Sequence, residues 1–495
     1  MKKILIYTLT ILLGITAWGQ NLSPKDFGLD TATTGESRYH ILYNTHMAAF
    51  NAGVNVSYEE IDTINLVIPA DAQSIPLTEK NNFNGVVFNV LNNNKHTTLF
   101  SMKQKNEQIE IEKDLIDKGD FNRIEELRNG TYLLVLSDKT PWVDDRIGYN
   151  YPAMRYDILL IKDGKSLNKP VAPYNTPATE LKCYYTPISS VEKRIENFTL
   201  NRDIKSTFKT YCISLSYQNN VTLKDITINT PKNKMMADAA INVNHCTNIN
   251  MKDITINGTY SGKGKYGYGL STNNVWKSSY TRVKATGIWG VWGSNNMNDV
   301  TLNECDVNRF DIHCYGRDVI CKNTTFRDKQ TQFSSFYGNL TFDNCHFIDC
   351  IPVRIRSSFN AYTPFDILFK DCTFDATNRH KSLVNVMLLD TNLNKRPELS
   401  EKCWPNVTIE NLTINAPKHI KKIYLYDPTG ETSECKKSVG YLSNVNLKNI
   451  KAQYKNEPTD ITLYLSSHDI KTKKDFNISL ENINLKHVIN NINKE

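Results

Sequence analysis

A chain of 495 residues with a formal net charge of +7, 22 % charged and 40 % hydrophobic, is only mildly basic, and its Lys and Arg are dispersed rather than gathered into arms or stripes. That argues against a nucleic-acid binder and favours, weakly, a polyanionic partner over a neutral one. Eleven cysteines are an odd number without a CxxC pair, a poor match to a disulfide framework or a zinc site.

The chain opens with Lys2, Lys3, an apolar run over 4–16 and Ala17-Trp18-Gly19, which reads as a secretory signal peptide over 1–19 with a small-x-small cleavage site. A periplasmic or secreted protein is expected, because no later stretch approaches the roughly 18 apolar residues of a membrane span and no Cys follows the leader to take a lipid. Residues 20–63 read as an N-terminal cap, with an amphipathic helix over 37–51 (Tyr39, Leu42, Tyr43, His46, Met47, Phe50) and a first strand from Ile64 to Pro69. Residues 64–190 are less regular; their apolar runs at 86–90, 131–136 and 157–161 are expected to be strands of early coils with long loops.

From 191 to 495 one pattern recurs, apolar-x-apolar-x-(Asn/Asp/Glu)-apolar-x-apolar, as in Val221-Thr222-Leu223-Lys224-Asp225-Ile226-Thr227-Ile228 and Leu340-Thr341-Phe342-Asp343-Asn344-Cys345-His346-Phe347. The tightest copies start at Val300, Val319 and Leu340, 19 and 21 residues apart. A fixed short period is the mark of a solenoid. Asn and Asp tolerate the left-handed conformation that turns a chain sharply between two strands, and a third strand precedes each copy, for example 240–245, 310–315 and 352–356. Three short strands per turn of about 20 residues predict an all-β, right-handed parallel β-helix with a short N-terminal capping helix. Cys305, Cys345 and Cys372 hold the repeat position that Phe198, Ile226 and Leu412 hold elsewhere, so they are expected to stack in the core as small hydrophobes.

The stretch Arg309-Phe310-Asp311-Ile312-His313-Cys314-Tyr315-Gly316-Arg317 places ionisable residues at alternate positions. Alternation along a strand sends Asp311, His313 and Tyr315 to one face, with Ile312 and Cys314 inward. Counting back from the next repeat stacks Gln332 and Ser334, then Arg354 and Arg356, below them, and Trp292, Ser271 with Asn273, and Asn242 with Asn244 above. His313 and the Arg pair are then two coils, about 10 Å, apart, a gap that suits one sugar ring. Beside this row the glycine-rich insertion 258–269 carries Lys263, Lys265, Tyr266 and Tyr268, suited to folding over an anionic chain. Trp292 is positioned to stack on a sugar, and Asn244, His245 and Arg317 complete the expected substrate-binding set.

This polar-faced repeat, together with the opening order Asp26-Phe27-Gly28, amphipathic helix and strand ending in Pro, resembles the pectate-lyase-like β-helix polysaccharide lyases. Asp311-Ile312-His313 is also similar to the Asp-Pro-His motif of mannuronan epimerases, where Asp and His are catalytic; the middle residue departs from that motif. The resemblance implies cleavage of an acidic, uronate-containing polysaccharide by β-elimination. His313 would be the base, Asp311 its orienter, Arg354 or Arg356 the neutraliser of the substrate carboxylate, and Tyr315, Lys263 or Lys265 the donor to the leaving oxygen. Calcium, which many pectate lyases use, is not favoured, because the row carries almost no acid besides Asp311; no cofactor or metal is expected. The same scarcity disfavours a hydrolase. Epimerase, glycoside hydrolase and non-catalytic, tailspike-like glycan binding are the alternatives, and the chain is expected to be a monomer, with a trimer as the other possibility.

Overall fold

The computed structural model describes residues 21–92, 98–143, 153–170, 181–204, 211–230, 239–258, 268–286, 290–313, 315–333, 336–356, 365–377, 380–387, 405–427, 444–472 and 476–494. The expected leader over 1–19 lies outside them. Among the described residues the protein is all-β apart from the helix Gly35–Ala52 and a few shorter helical segments, and the chain forms two compact units: Met1–Lys105, Ile188–Ser271 and Val283–Trp289 make the first, and Asn106–Pro187, Thr272–Arg282 and Gly290–Glu495 the second. Among the described residues no helix is long and apolar enough to cross a membrane.

In the first unit the helix Gly35–Ala52 starts at Thr34, whose hydroxyl accepts from the Ser37 amide at 3.3 Å, and ends at Gly53, whose φ of +67° glycine adopts without a Cβ penalty. The helix packs closely on the strand Thr63–Ile68: a Cβ on Gly35 would lie 2.6 Å from Val67 Cγ2. Tyr39, Leu42 and His46 are buried, as the periodicity predicts, and Tyr43 and Met47 are half-buried; Phe50, expected on the same face, is exposed. Strands of successive repeats pair in parallel, and one register row runs Ile64, Phe88, Leu200, Ile228, Ile256, Ala285, buried throughout. One residue on, the row Asn65, Asn89, Asn201, Asn229, Asn257 faces outward. Each amide donates to the one before it at 2.8 to 3.0 Å, so these half-exposed polar groups satisfy one another.

The second unit repeats this plan. Its row Leu302, Cys321, Phe342, Phe369, Ile409, Leu447 is buried, and the residue turning the chain after each such strand, Glu304, Asn323, Asn344, Asp371, Asn411 and Asn449, has a φ between +49° and +59°. The Asn, Asp and Glu of the sequence repeat are therefore the left-handed turn residues, and the apolar residue after each turn returns to the core. Cys305, Cys345 and Cys372 sit there, buried, and Cys345 donates its thiol to the Cys321 carbonyl at 3.3 Å. Burial pushes the Cys372 thiol up to about 12.

One expectation is corrected. The segment 107–187 does not continue the coils: Glu107–Ile109, Leu181–Pro187, Thr131–Val143, Ala153–Lys162 and Lys165–Ser166 form, in that order, an antiparallel sheet of five strands. It has its own core of Leu115, Ile116, Phe121, Leu134, Leu136, Leu159 and Ile161. The apolar runs were strands, but composition does not name a strand's partner. These runs, lacking the repeat's turn residue, pair with one another as hairpins.

Candidate active site

The strand Phe310–Ile312 belongs to the second unit. Phe310 and Ile312 point into the core, so the alternation sends Asp311 to the opposite face, where it aligns with Gly293 before it and Gln332, Arg354, Asn385 and Asp427 after it. The register expected for Asp311, Gln332 and Arg354 is the register observed. That face is covered, not open: Asp311 is 0 % and Arg309 5 % exposed. Gln332 and Asn385 are buried too, and Arg354 is half-buried.

Arg309, two residues before Asp311 on the same face, donates Nε to Asp311 Oδ2 in a buried ion pair. The alternation that singled out Asp311 and His313 also points to Arg309, which the sequence reading left without a role. Gly290 makes room for it: a Cβ there would lie 2.9 Å from Arg309 Cδ. His313 follows on the other side, its amide donating to the Ser294 carbonyl at 2.8 Å. Its Nε2 stands 3.5 Å from the same Asp311 Oδ2, in ion-pair range, and its side chain is 16 % exposed. Asp311 Oδ1 is buried with no hydrogen-bond partner among the described residues. A carboxylate held by a guanidinium on one side and facing an imidazole on the other is placed to orient that imidazole.

The remaining expected site residues fall out differently. Tyr315 is buried, not outward: the strand ends at Ile312 and Tyr315 takes a φ of +60°, so alternation stops before reaching it. Trp292 is a core residue, edge-on to Tyr280 and Phe310 at 5.1 and 5.3 Å, because it aligns with Phe310 rather than with Asp311. It presents no ring to a sugar. His245 is buried in the first unit, stacked on Tyr217 at 4.9 Å, and burial lowers it to about 4, so it stays neutral and cannot serve a substrate carboxylate. Asn244 and Tyr268, also in the first unit, are half-buried. Arg317 lies near Asp318 at 3.4 Å and donates to the Pro170 carbonyl of the same unit at 3.3 Å, which gives it a structural partner. Arg356 has its backbone in the strand Val353–Arg356, while its side chain, Cys314, Ser334, Lys263, Lys265 and Tyr266 lie outside the described residues. The row brings together Arg309, Asp311, His313, Gln332 and Arg354.

Among the described residues no three His, Cys, Asp or Glu side chains gather as a metal's donor set. Calcium needs several carboxylate oxygens at one point, and the carboxylate of this row is engaged by Arg309 and His313.

No family model matches the chain, and no curated protein matches it. Among solved structures it is similar to the tailspike protein gp49 from Pseudomonas phage LKA1, with a TM-score of 0.52, 12 % identity, and coverage of 96 % of this chain and 81 % of that one. It also resembles the Gp54 tailspike of Acinetobacter baumannii bacteriophage AP22, in complex with A. baumannii capsular saccharide (TM-score 0.46, 10 % identity, 90 % and 77 % covered). A third likeness is the catalytic domain of a GH87 alpha-1,3-glucanase in complex with tetrasaccharides (TM-score 0.44, 8 % identity, 93 % and 68 % covered). At such identity the first is a likeness of fold alone. Two of the three are tailspikes and the third is a glucanase, so the likeness is to parallel β-helix proteins and not to pectate lyases specifically.

Proposed function

We propose that this protein is an exported lyase that cleaves an acidic, uronate-containing polysaccharide by β-elimination, on a right-handed parallel β-helix. The observation that carries the reading is the Arg309–Asp311–His313 constellation, in which the partly exposed imidazole faces a fully buried carboxylate, with Arg354 two register steps further on. Two steps of about 4.8 Å separate the strands by about 10 Å. A uronate between them would set its carboxylate against Arg354 and its C5 proton toward His313. Neutralising the carboxylate acidifies that proton, and the base then removes it. The electron pair left on C5 forms the C4–C5 double bond as the C4–O4 bond breaks. O4 departs with a proton taken from solvent water; buried Tyr315 is withdrawn from that role.

A glycosidase on this row is disfavoured by distance. The next carboxylate after Asp311 is Asp427, four register steps on, about 19 Å at 4.8 Å per strand. Paired glycosidase carboxylates stand about 5–9.5 Å apart. Non-catalytic glycan binding is the second reading, favoured by the burial of Asp311, Gln332 and Asn385, which leaves little open cleft along the row.

The test is incubation with a panel of uronate polymers, following the ultraviolet absorbance of the unsaturated product. Absorbance should rise, and His313→Ala should lower the rate by about 10²–10⁴-fold, with Arg354→Ala also severely impaired and both variants folded. Unchanged rates in either variant remove the site assignment. New reducing ends without absorbance indicate a hydrolase, an altered uronate ratio an epimerase, and binding without chemistry the second reading.

A further inference from the structure

Phe50 departs from the pattern of its own helix. Tyr39, Leu42 and His46 on the apolar face are buried, whereas Phe50 is 54 % exposed and lines a cavity of about 660 Å³ in the first unit. That volume falls within the roughly 300–1,000 Å³ of small-molecule sites. Met102 adds apolar wall, and the charged lining is Lys80, Lys103, Lys193 and Glu79: three cations against one acid.

Lys193 is the unusual member. It opens the strand Lys193–Ile204 and is only 6 % exposed, yet among the described residues the one hydrogen bond of its ammonium is a long one, 3.4 Å to the Asn219 carbonyl. An ammonium carries three donors, and a buried charge is normally paired. No described carboxylate lies in ion-pair range of it, and burial lowers its pKa despite the charge of Glu79. A buried cation short of acceptors, beside two more cations and an exposed aromatic ring, fits a ligand that is both anionic and apolar on one face. Acidic pyranoses have that character: a carboxylate for the ammonium and a C–H face for the ring.

We propose that this cavity binds an acidic sugar, with its carboxylate on Lys193 and Lys103 and its ring face on Phe50. It draws on no residue of the Asp311 row and makes the protein a uronate binder whether or not that row is catalytic.

The test is calorimetric titration of the full-length protein with D-glucuronate, D-galacturonate and D-mannuronate, each against its neutral parent hexose. At least one uronate should bind about ten-fold or more tightly than its parent. Lys193→Met should erase that preference, Lys103→Met should weaken it, and Phe50→Ala, at an exposed position that keeps the fold, should weaken acid and neutral sugar alike. Equal affinity for acid and parent, no binding by any uronate, or a preference that survives in both Lys variants overturns the proposal. The measurement reads binding without turnover, so failure of the elimination chemistry and failure of this site are separate results.

Discussion

Replacing Asp311 by Asn keeps its shape and deletes its charge. Asp311 is wholly buried and Arg309 nearly so, so the guanidinium would lose the buried carboxylate it is paired with. Breaking a buried pair by removing one partner costs about 3–5 kcal/mol, a large share of the roughly 5–15 kcal/mol that holds a domain together. Removing both charges, as Arg309→Met with Asp311→Leu, should recover most of that loss, because exchanging a buried pair for apolar groups of similar volume is often neutral or stabilising. Urea unfolding of wild type, Arg309→Met, Asp311→Leu and the double variant, followed by tryptophan fluorescence with Trp292 in the same core, gives the coupling energy directly. We expect a coupling of about 3 kcal/mol. The double variant should also separate folding from function: stability returns, but His313 has lost the carboxylate that orients it, so elimination stays slow. A loss below about 1 kcal/mol in Asp311→Asn, or full activity in the double variant, refutes the account of the row.

Burial holds His46 and His245 at about 4, below the usual 6.5. Both are neutral in the fold and take up a proton near pH 6.5 once unfolded, so the unfolded state binds more protons between pH 6.5 and 4. Stability is therefore complete above that window and falls as pH drops through it, by roughly 3 kcal/mol per histidine at about 1.4 kcal/mol per pH unit. Urea midpoints across this range should show the slope, and His46→Gln should flatten it; equal slopes would refute the assignment. At the left-handed turn residue Asn411 (φ +59°), Ala should cost about 1–2 kcal/mol and Gly less, as thermal unfolding would record. A Cβ on Gly316 would meet Phe336 Cδ2 at 2.6 Å and Ile312 Cγ2 at 2.8 Å. Gly316→Ala should then cost about 1–3 kcal/mol and, by shifting Ile312, lower activity as well; a variant with wild-type midpoint and rate would mean the chain relaxes freely there.

What the sequence by itself determined is whatever repeats or alternates. The period of about 20 residues, the Asn and Asp turn residues at positive φ, the cysteines in the core and the alignment of Asp311 with Gln332 and Arg354 all follow from local chain geometry summed coil by coil. Tertiary structure alone decided which outward positions meet water. Asp311 and Arg309 alternate outward and are nonetheless sealed, Tyr315 left the alternation at a turn of positive φ, and Trp292 slipped one place into the core. It also decided that 107–187 pair with one another as an antiparallel sheet and that Phe50 faces a cavity beside Lys193. The pattern of a strand records which side a residue takes, whereas burial depends on what distant chain covers that side, and no local period carries that information.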